Sequence, residues 1–183
     1  MLCSQNEHKR TELEAALPGW TIELLETGDY PEETGETFFE NARGKALFGR
    51  EVGPTGAWML GEDSGLEVEA LGGRPGVLSA RYAPEGAPAV AKLLAELDGM
   101  GDRAARYVSE LVLLPPDGTE LRGTGTLEGR IAFAAVGSEG FGYDPIFVPN
   151  GEERTVAELG NEWKAQHSHR ARAARALLAS LTR

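Results

Sequence analysis

The chain reads as an α/β protein with a mixed β-sheet flanked by helices. Three features predict this: helical and strand-like periodicities interspersed along the whole length, one long hairpin marked by Pro115-Pro116-Asp117-Gly118, and no regular strand-helix-strand repeat. At 183 residues the chain is sized for one domain, residues 1–183, with room for two lobes around one long sheet. No internal repeat, low-complexity tract or linker divides it.

Each element has its own signal. Met1 to Cys3 reads as the tail of a strand running into a polar turn, and a helix follows from about Glu7 to Leu17, with Leu13, Ala16 and Leu17 on one face. Pro18-Gly19 stops it. Thr21 to Leu24 alternates like a strand, whereas Glu26 to Glu36 is acidic, carries Gly and Pro, and reads as a loop. Thr37 caps a second helix, Glu40 completes a capping box, and Phe38, Ala42, Lys45 and Ala46 keep helical spacing until Gly53-Pro54. Ala57 to Leu60 reads as a buried strand leading into Glu62-Asp63-Ser64-Gly65, which puts the carboxylates at a strand end, and Leu66 to Leu71 as another strand. Gly72 to Gly76 is a tight loop and Ala87 to Leu97 a helix. Arg106 to Leu114 and Thr119 to Leu127 are the hairpin arms. Arg130 to Val136 adds a strand, Phe147-Val148 a short one, and a last helix runs from its N-cap Ser168 to Leu181.

Composition narrows the function. The longest apolar runs, such as Tyr107 to Leu114, are far too short to cross a bilayer. The start lacks a basic segment followed by an apolar one, and Cys3 is the only cysteine, so the reading is a chain without secretory signal or disulfide framework, with the cytoplasm as its address. A formal charge of −11 argues against a general nucleic-acid binder, since backbone phosphates are gripped by clustered Lys and Arg. A small phosphorylated ligand needs only local positive charge and a metal.

Four stretches carry residues suited to that task. Ser4-Gln5-Asn6-Glu7-His8-Lys9 lies where a strand hands over to a helix, and backbone N–H groups and the helix dipole there favour an anion, with Ser4, Asn6 and Lys9 as side-chain donors. Taken alone, this pattern more often means an N-cap and a solvated lysine. Glu33-Thr34-Gly35 and Glu62-Asp63-Ser64-Gly65 each set carboxylates beside a glycine and a hydroxyl, and Mg2+ takes one or two carboxylates, several waters and phosphate oxygens. Two acidic turns would explain the same residues. Lys45, on the helix after the first loop, is a phosphate counter-ion or a surface lysine. Phe141-Gly142-Tyr143-Asp144 offers aromatic faces, close backbone approach and carboxylate acceptors for a flat ring, although a core-anchoring turn accounts for Phe147 and competes for Tyr143. His169 and Arg170 begin a helix and point outward as donors in this reading. With His8 the only further histidine besides His167 and His169, a structural zinc site is not expected.

The order and identity of these motifs resemble the Ham1/RdgB family of inosine/xanthosine triphosphate pyrophosphatases across nearly the whole chain. The matching stretches are Ser4 to Lys9, Glu33-Thr34-Gly35 with Thr37-Phe38 and Glu40-Asn41-Ala42, Asp63-Ser64-Gly65-Leu66, Pro75-Gly76 with Ser79-Ala80-Arg81-Tyr82, Phe141 to Phe147, and Ser168-His169-Arg170. The resemblance implies an elongated mixed α/β fold with two lobes around a central cleft, a homodimer, and Mg2+-dependent hydrolysis of the aberrant purine nucleoside triphosphates ITP, dITP and XTP to the monophosphate and pyrophosphate. Carried over by position, Ser4 to Lys9 cradle the triphosphate, and Glu33 and Asp63 hold the metal. Asp63 is also the proton acceptor for the attacking water, Ser64 and Lys45 contact phosphates, and Phe141 to Asp144, Lys164, His169 and Arg170 bind the nucleoside end. A 6-oxo purine presents an acceptor where adenine presents a donor, so His169 and Arg170 would lose their partners with ATP.

The chain departs from the family pattern in places. The first strand is short, as if apolar residues before Leu2 were missing; Glu62 stands where an aspartate is usual; Gln5 replaces a common small residue; and the segment from Ala83 to Val90 is a few residues short. Two other readings compete: a nonenzymatic nucleotide-binding protein on the same fold, and a Maf-like pyrophosphatase for modified pyrimidine triphosphates, against which the Phe141 to Asp144 and Ser168 to Arg170 motifs argue.

Overall fold

The computed structural model describes residues 1–28, 30–84 and 86–181. In chain order its elements are α1 (Glu7–Ala16), α2 (Phe38–Val52), β1 (Met59–Val68), α3 (Ala87–Glu96), β2 (Ala104–Leu114), β3 (Leu121–Ile131), β4 (Phe147–Pro149), α4 (Val156–His167) and α5 (His169–Leu181). The four strands form one sheet in the order β1-β2-β3-β4, and β3 and β4 pair antiparallel with Arg130 opposite Val148. Leu2 adds isolated parallel bridges to Leu24 and Leu60, which makes the pairing mixed, as the sequence predicts.

The chain divides into two compact units: Met1–Ser64, Ser109–Gly125 and His169–Arg183 form the first, Gly65–Val108 and Thr126–Ser168 the second. Two apolar clusters stabilise the first unit. Leu111 and Leu113 of β2 join Leu2, Leu13, Leu17 and Leu177, whereas their neighbours Val112 and Leu114 join Cys3, Ala42, Ala46 and Met59. Successive strand residues face opposite ways, so one strand feeds both clusters. The second unit packs Leu66, Leu93, Tyr107, Ile131, Phe147 and Val156 into its own core.

Capping behaves as the sequence signals. Thr37 accepts from the Glu40 N–H at 3.1 Å while Glu40 accepts from the Thr37 N–H at 3.0 Å, closing the box at the start of α2. Close backbone approach decides where this helix sits. A Cβ on Gly61 would lie 1.9 Å from the Ala42 carbonyl oxygen, so only glycine lets β1 reach α2.

Several expectations are corrected. The expected strands on either side of Glu62-Asp63-Ser64-Gly65 are one strand, β1, so the carboxylates lie within it rather than at its end. No turn is needed there because both charges are compensated by side chains on either face. Leu66 to Leu71 is not a strand throughout; Glu69–Leu71 winds into a 3-10 turn closed by Gly72 at φ 65°. Thr21 to Leu24 contributes only the bridge at Leu24. The separate strand over 130–136 does not form: β3 runs on through Gly129, which pairs with Pro149, and ends at Ile131. Ser168 directly precedes α5, where its N-cap was expected, and is at the same time the C-cap of α4, a helix absent from the sequence reading whose capping box of Thr155 and Glu158 is present in the sequence. The loop predicted over Glu26 to Glu36 holds, apart from Asp29, which lies outside the described residues.

Candidate active site

Within β1, alternation splits the acidic pair. Asp63 turns toward α2, where its Oδ1 meets Lys45 Nζ at 3.1 Å and its Oδ2 accepts from Asn41 Nδ2 at 3.1 Å. Lys45 Nζ also pairs with Glu33 Oε1 and donates to the Glu62 carbonyl at 3.0 Å. Both expected metal ligands, Glu33 and Asp63, therefore converge on one cationic atom. Asn41 fastens the arrangement from the other side, because its Oδ1 accepts from the Gly35 N–H at 2.8 Å and so ties the Glu33 loop to the strand.

Glu62 and Ser64 turn the other way, toward α1 and α5. Lys9 Nζ lies 2.7 Å from Glu62 Oε2, and Arg170 Nε donates to Glu62 Oε1 at 3.0 Å. Arg170 also donates to Ser64 Oγ at 2.6 Å and to Glu12 Oε2 at 3.0 Å. The outward direction expected for His169 and Arg170 is thus corrected: both are buried, since an arginine beside three acceptors gains more from charge-assisted hydrogen bonds than from water. Alternate glycines on β3 seat this helix, for a Cβ on Gly125 would come within 2.1 Å of the His169 carbonyl oxygen and one on Gly123 within 2.3 Å of that of Ala173.

The opening turn is shaped for this neighbourhood. Asn6 is the N-cap of α1 and accepts from the Lys9 N–H at 3.1 Å, and Ser4 Oγ accepts from the Asn6 N–H at 3.1 Å. Gln5, Glu7 and His8 are exposed, and Glu7 pairs with Arg10 at 2.6 Å. An open groove of about 640 Å³ runs beside Ser4 and Gln5, with Leu24 to Gly28 as its other wall.

Charge sets the chemistry of the two carboxylates apart. Burial pushes the Asp63 carboxyl above its usual value, although Lys45 and Lys9 oppose this. Burial acts on Glu62 in the same sense, yet Lys9, Arg170 and Lys45 together hold its carboxyl well below the usual range. Lys45 is desolvated too, but Asp63 and Glu33 keep its ammonium above the ordinary lysine value. Adjacent residues thus become a base of raised affinity for protons and a permanent anion.

The remaining predicted residues fall in the second unit. Asp144 accepts from Lys164 Nζ at 2.6 Å, from the Phe141 N–H at 2.8 Å and from Tyr107 Oη at 3.3 Å. Lys164 Nζ lies 4.6 Å from the Phe141 ring centre. Tyr143 is a core residue whose hydroxyl donates to the Ser79 carbonyl at 3.1 Å, which favours the anchoring reading of that turn. Gly142, at φ 61°, turns the chain between them.

Sequence reasoning assigned no role to Asn41, Glu12, Ser109 or Tyr107. Two of these were detectable: Asn41 precedes Lys45 by one helical turn, and Glu12 follows Lys9 at i,i+3. Ser109, whose Oγ donates to Glu62 Oε1 at 3.4 Å, and Tyr107 reach their partners from strand β2, and nothing local announces such a pairing.

Relatives share this frame. A sequence model of the Ham1 family matches residues 1–180. The dITP/XTP pyrophosphatase of Gloeobacter violaceus is 43% identical over 185 residues, spanning 100% of this chain and 94% of its own. That of Exiguobacterium sp. is 44% identical over 189 residues, spanning 99% and 95%. The solved Ham1 protein of Staphylococcus aureus superposes with a TM-score of 0.86 at 37% identity, covering 99% of this chain and 96% of that one. A match of this extent, in sequence and in fold, places the chain in the Ham1 family.

Proposed function

We propose that this protein hydrolyses the aberrant purine nucleoside triphosphates ITP, dITP and XTP to the monophosphate and pyrophosphate, with Mg2+, and so removes them from the nucleotide pool. The observation that carries the reading is the convergence of Glu33 and Asp63 on Lys45 Nζ. Two carboxylates close enough to share one ammonium are close enough to share a hard divalent cation. A pair of carboxylates suits magnesium, whose remaining positions water and phosphate oxygens complete. When bound, the metal neutralises charge on the phosphate chain.

The protein's own groups do the rest. Ser4 to Lys9 and Ser64 donate to the triphosphate, and Lys45 passes from the carboxylates to a phosphate oxygen. Asp63, made more basic by burial, accepts a proton from water as the water oxygen bonds to phosphorus and the bridging bond between the α- and β-phosphates breaks. The nucleoside end falls to Phe141, Gly142, Tyr143, Asp144, Lys164, His169 and Arg170. His169 and Arg170 are the donors to the 6-oxo group, Arg170 keeping two N–H groups beyond those given to Glu12, Glu62 and Ser64. Residues 1–183 act as one catalytic domain, as a homodimer, on a small molecule rather than nucleic acid. No described helix is long and apolar enough to cross a membrane, and the cytoplasm is the proposed location.

Pyrophosphate release from ITP, dITP, XTP, ATP and GTP, with magnesium and with chelator, tests this. The first three exceed ATP and GTP in kcat/KM, and chelation abolishes turnover; equal rates across the panel, or turnover without divalent metal, overturn it.

A further inference from the structure

We infer that Glu62 is a positioning residue for the phosphate-binding side of the site: it fixes Lys9 directly and Ser64 through Arg170. The inference rests on the reading that Lys9 and Ser64 face the triphosphate.

Burial demands an explanation for this carboxylate. Glu62 is 0% exposed, and an isolated buried charge is too costly to persist without partners. Both of its oxygens have them: Oε2 lies 2.7 Å from Lys9 Nζ, and Oε1 accepts from Arg170 Nε at 3.0 Å and from Ser109 Oγ at 3.4 Å. Strand alternation turns Glu62 away from the Asp63, Lys45 and Glu33 cluster, so its side chain belongs to neither the proposed metal nor the proton transfer.

What it holds is more informative than what it lacks. Lys9 is a long, flexible cation that loses considerable rotamer freedom when fixed, and Glu62 restrains it through an ion pair, without a hydrogen bond to Oε2, so that its ammonium donors are left to meet a phosphate. Arg170 is shared between Glu62 and Ser64, and Ser64 Oγ accepts from it at 2.6 Å. A hydroxyl that accepts from a guanidinium turns its own proton to a second acceptor, as a phosphate oxygen provides. Glu12 closes the far side of Arg170 at 3.0 Å, and it sits one turn after Lys9 on α1. One carboxylate thereby sets the position of a cation on α1 and a hydroxyl on β1.

The test is steady-state ITP hydrolysis by wild type, Glu62→Gln, Glu62→Asp, Lys9→Met and the Glu62→Gln/Lys9→Met double variant. Lys9→Met alone should raise KM; unchanged KM there overturns the phosphate reading of Lys9 and the inference with it. Given that rise, Glu62→Gln is expected to raise KM roughly tenfold or more with a smaller change in kcat, Glu62→Asp to recover part of the loss, and the Glu62→Gln effect to shrink in the Lys9→Met background to the share that runs through Arg170 and Ser64. Additive effects, or a fall in kcat of orders of magnitude at unchanged KM, overturn the positioning role while leaving the phosphate reading intact. Should Glu62→Gln fail to fold, Glu62→Asp run through the same cycle with Lys9→Met separates coupled from additive effects in its place.

Discussion

Asp63 and Glu62 are neighbours in one strand, yet protonation affects folding in opposite senses at the two positions. Burial raises Asp63 in the folded state, so its contribution to stability is complete below the ordinary aspartate value of 3.8 and is lost as pH rises through the folded value. Glu62 is lowered, so its contribution is present above the ordinary glutamate value of 4.5 and is lost as pH falls toward the folded value. Asp63→Asn is therefore expected to lower kcat roughly 10²- to 10⁴-fold, the usual range for a lost general base, while melting higher than wild type at pH 7. Glu62→Gln should melt lower at pH 7. Both differences should shrink near pH 3, and thermal melts at the two pH values check the signs. A site residue whose removal stabilises the fold is one held against its own solvation for the sake of chemistry.

At the scale of elements, α2 carries Asn41 and Lys45 and is set by its first turn. Thr37→Ala removes the cap and should cost about 1 kcal/mol, which lowers the melting midpoint by roughly 2 to 4 °C in a chain of this size. Activity should fall less than stability, since Gly61 still fixes the helix against β1. Here the sequence was directly readable: Thr37 and Glu40 announce the box, and Thr155 with Glu158 announce that of α4 in the same manner. The strand end expected at Glu62-Asp63-Ser64-Gly65 fails for a physical reason. A run of polar residues beside a glycine normally marks a turn, because charge buried within a strand is too costly unless partners arrive from elsewhere. Lys45, Lys9 and Arg170 are those partners, and they come from three helices scattered along the chain.

For the whole molecule, a formal charge of −11 coexists with the clustered cations Lys9, Lys45 and Arg170, so an anionic ligand at the proposed site would be met by local rather than net charge. The proposed homodimer makes a direct prediction: sedimentation equilibrium at micromolar concentration should return twice the 19.6 kDa chain mass, and a monomer at that concentration would contradict it.

Fold class, the hairpin and the capped start of α2 were legible in the amino-acid order alone, because periodicity, caps and turn chemistry act over a few residues. Which cations face a given carboxylate was decided only in three dimensions. Strand alternation assigned Asp63 to α2 and Glu62 to α1 and α5, and glycines at 61, 123 and 125 let the helices come close enough to answer each charge. Such assignments depend on contacts between residues as far apart as Glu62 and Arg170, and long-range electrostatic pairing leaves no local trace in sequence.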